Sequence, residues 1–220
     1  MKDLDINKLN FYTQEEVWVT LPKFIDWLIK NRKTKKYNYQ INLNIIFNST
    51  CIIEGFIFQI IHEFLGELNE DNSTNYRIFK DFQKKIENAN WTQINEYFKV
   101  VTNFKLNEFT DNECWKAITI LFQLRNQLIH GKFAEVHFEP QKKEQISVKK
   151  NYGKIFEYLK EKQLVNESSF SNFSGVSLVN NETTDYFYNN CKIFLSDINN
   201  HFVKNNDLEI VEESFEIAFG

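Results

Sequence analysis

The stretch LFQLRNQLIHGK, residues 121–132, sets Arg125, Asn126 and His130 among side chains that belong in a core. Arginine offers phosphate oxygens a fixed fork of donors and stays charged at any working pH. Histidine, with an unperturbed pKa near ~6.5, can accept or donate a proton at neutrality. On an ideal helix Asn126 and His130, four residues apart, share a face. Arg125 lies about 140° around from His130, and fraying of the last turn before Gly131 can rotate the imidazole further. Arg125 and His130 then flank a gap of roughly 7 Å along the axis, wide enough for a phosphate diester. The same two residues also fit a plainer role, as cations that offset the dipole at a helix C-terminus.

Glu54, in STCIIEGF, is the other ion in an apolar setting. A carboxylate there needs a partner. Arg125 is a natural one, and Glu54 would then orient the guanidinium; the alternative is a carboxylate facing solvent or the N-terminal segment. Lys132 suits either contact with a phosphate backbone or a solvated position. The run KNRKTKK, residues 30–36, and the lysines at 142, 143, 149 and 150 read as solvated ends that could also extend a path for a polyanion. His62, His137 and His201 have no partner recognisable from the sequence. Cys51, Cys114 and Cys191 are far apart and form no CxxC pair, so a disulfide framework and a zinc site both lack support. Three small buried side chains in a reducing compartment are expected. No metal site and no cofactor is expected.

The elements that must hold these residues are helical. In 220 residues there are 22 phenylalanines but only 6 glycines and 2 prolines, so helix breakers are scarce. One domain is expected over residues 1–220, with 42% apolar residues to fill its core. A net charge of −4 disfavours non-specific coating of DNA. The opening MKDLDINKLN has no apolar leader core, and no run reaches the ~18 apolar residues of a membrane span. A soluble cytoplasmic protein, without membrane contact, is the expectation.

Along the chain, Thr13–Glu16 has the form of a capping box, and residues 14–20 are ambiguous between helix and strand. Pro22 suits the first turn of a helix that puts Phe24, Trp27 and Leu28 inward. Residues 37–47 alternate like a strand, but 45–68 are apolar on nearly all sides, which predicts a central helix reaching back to about Gln40. Asp71–Thr74 reads as a turn. Amphipathic helices are predicted over Tyr76–Asn88 and Trp91–Phe104. The motif helix follows, with Asp111 as N-cap, Trp115, Ile118, Leu121, Phe122, Leu128 and Ile129 inward, and Gly131 as a left-handed stop. KFAEVHFEP and QISVKK read as a small hairpin. A helix with Ile155, Tyr158 and Leu159 inward, a polar loop, and a long helix with Phe187, Cys191, Ile198 and Phe202 inward complete the pattern. The fold class is therefore all-α: an antiparallel helical bundle over 40–205, with an N-terminal appendage (1–39), the hairpin after the motif helix, and a C-terminal tail (206–220).

Arg125, Asn126 and His130 followed by glycine, at the end of an apolar helix in an all-helical chain of this size, resembles the HEPN superfamily. That family's hallmark is an Arg, then a polar residue, then a His four to six residues after the Arg. STCIIEGF resembles an early bundle helix of such proteins, and the helix after TTDYF resembles their closing helix, so the likeness covers about residues 40–205. It implies a four-helix bundle that dimerises with the two motif helices facing each other. It further implies a metal-independent endoribonuclease in which the RNA 2′-hydroxyl attacks the adjacent phosphorus and leaves a 2′,3′-cyclic phosphate. His130 would be general base or acid, Arg125 would stabilise the phosphoryl charge, and Asn126 would orient His130 or bond a phosphate. RNA is the implied substrate, in toxin–antitoxin or antiviral defence, with an antitoxin or sensor protein as a further partner. Some members carry a tyrosine where this chain has Lys132, which puts control by tyrosine modification in doubt. The alternative is a non-catalytic helical module that binds a nucleotide or a partner protein.

Overall fold

The computed structural model describes residues 6–32, 38–66, 84–85, 89–130, 135–138, 146–149, 152–165 and 178–220, with side chains described outside 6–17, 66 and the two strands. The described residues are mostly helical. The predicted turn at Asp71–Thr74, the polar loop before Leu178, Gly131 and Lys132 lie outside them, as does the predicted Tyr76–Asn88 helix apart from the helical pair Lys84 and Lys85.

Helix α1, Ile6–Lys30, departs most from its sequence pattern. Helical backbone runs through Thr13–Glu16, so that tetrad does not start a helix. It also runs through Pro22, which sits inside the helix rather than in its first turn. A proline there forgoes one backbone bond and crowds the preceding turn. Tertiary packing compensates: Pro22 is buried, and its carbonyl accepts from the Tyr188 hydroxyl at 3.3 Å. Trp18, Val19, Ile25 and Leu28 point inward, while Phe24 and Trp27 are exposed. Five of the six residues 24–29 are apolar, so periodicity alone allowed more than one inward face. Contact with α2 decides between them.

Helix α2, Asn38–Gly66, is the centre of the molecule. The strand-like alternation of residues 37–47 yields to it, because Ile45, Ile46, Ile52, Ile53, Phe56, Ile57, Ile60 and Ile61 are all buried by surrounding helices. By length and hydropathy Asn38–Leu65 would also pass for a membrane span, although no unbroken apolar run is long enough; most of that window is buried within the fold. A Cβ added at Gly55 would stand 2.6 Å from the Trp18 Cβ. Glycine is what lets α1 cross α2 this closely.

Helix α3, Trp91–Thr102, opens on a complete capping box between Asn90 and Gln93 and ends on Asn103 in the left-handed region, φ 64°. Ile94 and Phe98 are buried as expected, and a 3-10 turn, Leu106–Glu108, follows. Helix α4, Asn112–Ile129, begins where Asp111 accepts a hydrogen bond from the Cys114 amide at 2.8 Å. Strand β1, Glu135–Phe138, pairs antiparallel with β2, Ile146–Lys149, Glu135 facing Lys149. Helix α5, Gly153–Glu161, buries Ile155, Tyr158 and Leu159. Helix α6, Asn181–Ile198, is capped by Asn180 and buries Phe187, Cys191, Phe194, Leu195 and Ile198. A π turn (Asn199–Val203) and a 3-10 turn (Lys204–Asn206) lead to Asp207 at φ 52°.

Helix α7, Glu209–Phe219, replaces the expected C-terminal tail. Leu208, Val211, Ser214 and Ala218 face inward at helical spacing. Its free N-terminal amides are met from α2: Glu63 accepts from the Ile210 and Val211 amides at 3.2 and 3.0 Å. One turn earlier on α2, Gln59 accepts from the Trp18 indole at 3.0 Å and donates to Ser214 Oγ at 2.9 Å. Residues 18–30 are likewise no appendage, since α1 packs on α2 and α7 and supplies part of the continuous core.

Candidate functional site

The motif helix α4 is anchored on one side and polar on the other. Ala117, Ile118, Leu121, Phe122 and Leu124 are buried. Trp91 of α3 lies flat on Phe122, with centroids 4.1 Å apart and planes 5° off parallel. Trp115 and Phe194 of α6 complete the cluster around the indole at 5.9 and 6.4 Å. Stacked aromatic pairs contribute about 0.5–1.5 kcal/mol beyond area burial, so the helix is held rigidly by its apolar side. Ile129, expected inside, is exposed. The last turn has already left the core there.

Three of the singled-out residues come together in the turn before that end. The Arg125 Nη2 is 3.6 Å from Glu54 Oε2 of α2, with the two side chains 27% and 17% exposed. That is an ion-pair distance, too long for a hydrogen bond. The Arg125 Nη1 donates to Asn126 Oδ1 at 3.0 Å. Burial pushes the Glu54 carboxyl above its usual range, and the Arg125 charge pulls the other way without prevailing. Desolvation therefore outweighs the ion pair. The guanidinium is oriented by two groups and saturated by neither, so a phosphate oxygen could take a share of it.

His130 is placed differently. It is the C-cap of α4, exposed, with its amide donating to the Asn126 carbonyl at 3.2 Å. Its imidazole is not joined to the cluster by any hydrogen bond, ion pair or ring contact among the described residues. The Arg125–Asn126–Glu54 group and the His130 imidazole thus sit at successive levels of one helix end, the first partly buried and the second in solvent.

Cys51 of α2 also borders the cluster. It was expected to be buried, with Cys114 and Cys191, but it is exposed. It lies one turn before Glu54 on α2. Its thiol is held above the usual range first by local desolvation, then by the Glu54 charge, with Arg125 opposing. The i, i+3 spacing to Glu54 was the available signal. Cys114 and Cys191 are the buried pair; their thiols donate to the Asn190 and Ser49 carbonyls. Among the described residues no group of three His, Cys, Asp or Glu side chains is arranged to hold a metal ion. Comparison with protein-family models, with curated proteins and with solved structures found no match.

Proposed function

We propose that this chain is a HEPN-like endoribonuclease, cytoplasmic, and active as a homodimer in which the C-terminal ends of two α4 helices face one another. The observation that carries the reading is the Arg125–Asn126–Glu54 cluster set one turn before an exposed His130 on a rigidly anchored helix. In this reading the helices around α2 and α4 form a four-helix-type bundle, and the β1–β2 hairpin extends it beyond the motif. Arg125, held by Glu54 and Asn126, receives the scissile phosphate and stabilises the charge that builds on its oxygens. His130 takes the proton from the RNA 2′-hydroxyl or delivers one to the leaving 5′-oxygen. The nucleophile belongs to the substrate, so the proposed reaction yields a 2′,3′-cyclic phosphate and a 5′-hydroxyl without a metal step. The separation of His130 from Arg125 within one protomer favours a composite cleft, where the imidazole of one copy works with the guanidinium of the other. Lys132 follows His130 and would contact the RNA backbone. The biological setting proposed is toxin–antitoxin or antiviral defence, with an antitoxin or sensor protein as controlling partner.

The test is RNA cleavage in the presence of a metal chelator, with the products' termini identified and the oligomeric state measured by light scattering. His130→Ala is expected to lower the rate by about 10²-fold or more while the protein stays folded. Wild-type-like cleavage by that variant, or a strict monomer with full activity, overturns the assignment. Intact RNA with both proteins favours a non-catalytic module that binds a nucleotide or a partner protein.

A further inference from the structure

The exposed side of α1 carries a feature that the proposed site does not use. Phe24 and Trp27 are 43% and 57% exposed. Their rings lie nearly parallel, 11° apart, with centroids at 6.1 Å. At that separation the rings are neighbours in one platform, with no room for a third ring between them, and both reach the surface. Lys23 and Lys30 stand four residues before and three after Trp27, on the same side of the helix. Among the described residues neither pairs with a carboxylate. Asp26, the acid between them, faces Tyr188 of α6. Lys23 and Lys30 outweigh Asp26 on this face in a chain of net charge −4, and after Arg32, which pairs with Asp185, the sequence continues as KTKK.

An aromatic stripe edged by unpaired lysines suits one class of ligand best. Each unpaired base has a flat face to stack and each backbone link a phosphate to meet a cation, so stacking platforms with flanking cations are how single strands are held without sequence readout. A protein surface would use the rings but has no general need for both lysines. We infer that the Phe24–Trp27 face with Lys23 and Lys30 is a binding platform for single-stranded RNA. The inference rests on the reading of the chain as an RNA-cleaving protein, and it names where the substrate is held outside the cleft. Trp27 lies nine residues, about 14 Å along α1, beyond Trp18, which crosses α2 at Gly55, the neighbour of Glu54.

The experiment uses the full chain and a labelled 12-nucleotide single-stranded oligodeoxythymidylate, which has no 2′-hydroxyl and so reports binding without cleavage. In fluorescence anisotropy, Phe24→Ala/Trp27→Ala is expected to weaken binding at least tenfold, with an unchanged melting temperature because both rings are at the surface. Lys23→Ala/Lys30→Ala is expected to lower the slope of log affinity against log salt by about 1.4. A blunt duplex of the same length should bind the wild type and the aromatic variant equally, since its bases offer no open faces. Equal affinity of wild type and aromatic variant for the single strand overturns the proposal and leaves the face to a protein partner; so does an equal loss on duplex and single strand. Arg125→Ala and His130→Ala are assayed for RNA cleavage alongside, as the separate test of the proposed catalysis. If these two still cleave RNA while the aromatic variant loses binding, the proposed catalysis fails and the platform stands. The reverse pattern removes the platform and leaves the catalysis.

Discussion

Among the described residues two arginines meet carboxylates, and they are held in opposite ways. Arg32, at the end of α1, is 7% exposed, while its partner Asp185 on α6 is 45% exposed. Its Nη1 donates to Asp185 at 2.5 Å and its Nη2 to Thr184 Oγ1 at 2.7 Å. Arg125 reverses the burial: the guanidinium is the more exposed member, the carboxylate the more buried, and their 3.6 Å separation is not a hydrogen bond. A buried guanidinium with short bonds to two partners ties two helices together. A more exposed guanidinium, aimed by a desolvated carboxylate and an amide, keeps donor capacity for something else. Charge type and partner type are the same, so the difference lies in which ion the fold has chosen to desolvate.

The comparison is broken most sharply by truncation. Arg125→Ala should reduce metal-free RNA cleavage by about 10²–10³-fold and lower the urea midpoint less than Arg32→Ala does, since Glu54 loses a partner that only partly offset its burial; a stability loss as large as that of Arg32→Ala would make Arg125 a second structural tie. Arg32→Ala should do the opposite. It is expected to cost about 2–3 kcal/mol in chemical denaturation, a figure kept below that of a fully buried pair because Asp185 is half in solvent, with cleavage per folded molecule unchanged.

A subtler contrast comes from Glu54→Gln. Cleavage should fall about tenfold as the guanidinium loses its charged guide. Stability should move the other way. The folded-state pKa of Glu54 is above its ordinary value, so its burial cost is fully present above that raised pKa. As pH falls through it the carboxyl is protonated and the cost fades. Urea titrations at pH 7 and pH 4 should therefore find the glutamine variant more stable at pH 7, with the gain shrinking at pH 4; a gain that is constant with pH would disconnect it from Glu54 ionisation. The smallest effect expected is that of Arg32→Lys, which keeps the charge but loses the fork. A loss of about 1 kcal/mol in the same denaturation assay is expected, and none at all would mean that Thr184 contributes nothing to the tie.

The sequence was most readable where a helix had a single apolar side and its own cap. Asp111, the buried Ile118, Leu121 and Phe122 and the inward residues of α6 could be taken from spacing alone, and Arg125 as a partner for Glu54 from the need of a carboxylate in an apolar helix for one. It was least readable where distant residues decide. Pro22 signals a helix start unless Tyr188 and α2 are there to hold a helix through it. Phe24 and Trp27 look like core until Ile25 and Leu28 are seen to fit α2 better. Helix α7 was hidden because an inward serine interrupts its apolar pattern and its N-terminus is capped by Glu63, nearly 150 residues away in the chain. The level of His130 relative to Arg125 depends on how the last turn of α4 ends, which no residue pattern specifies.

The Glu63 clasp on α7 has a consequence for how the molecule is made. Helix α2 emerges from the ribosome well before α7, which covers one of its sides. At 5–20 residues per second, about seven to thirty seconds pass between Glu63 and the amides it holds. For that interval a long isoleucine- and phenylalanine-rich helix is without its final cover, and α1 has only part of its seat. The nascent chain is then at its stickiest, and this part of the core cannot close until α7 has been made.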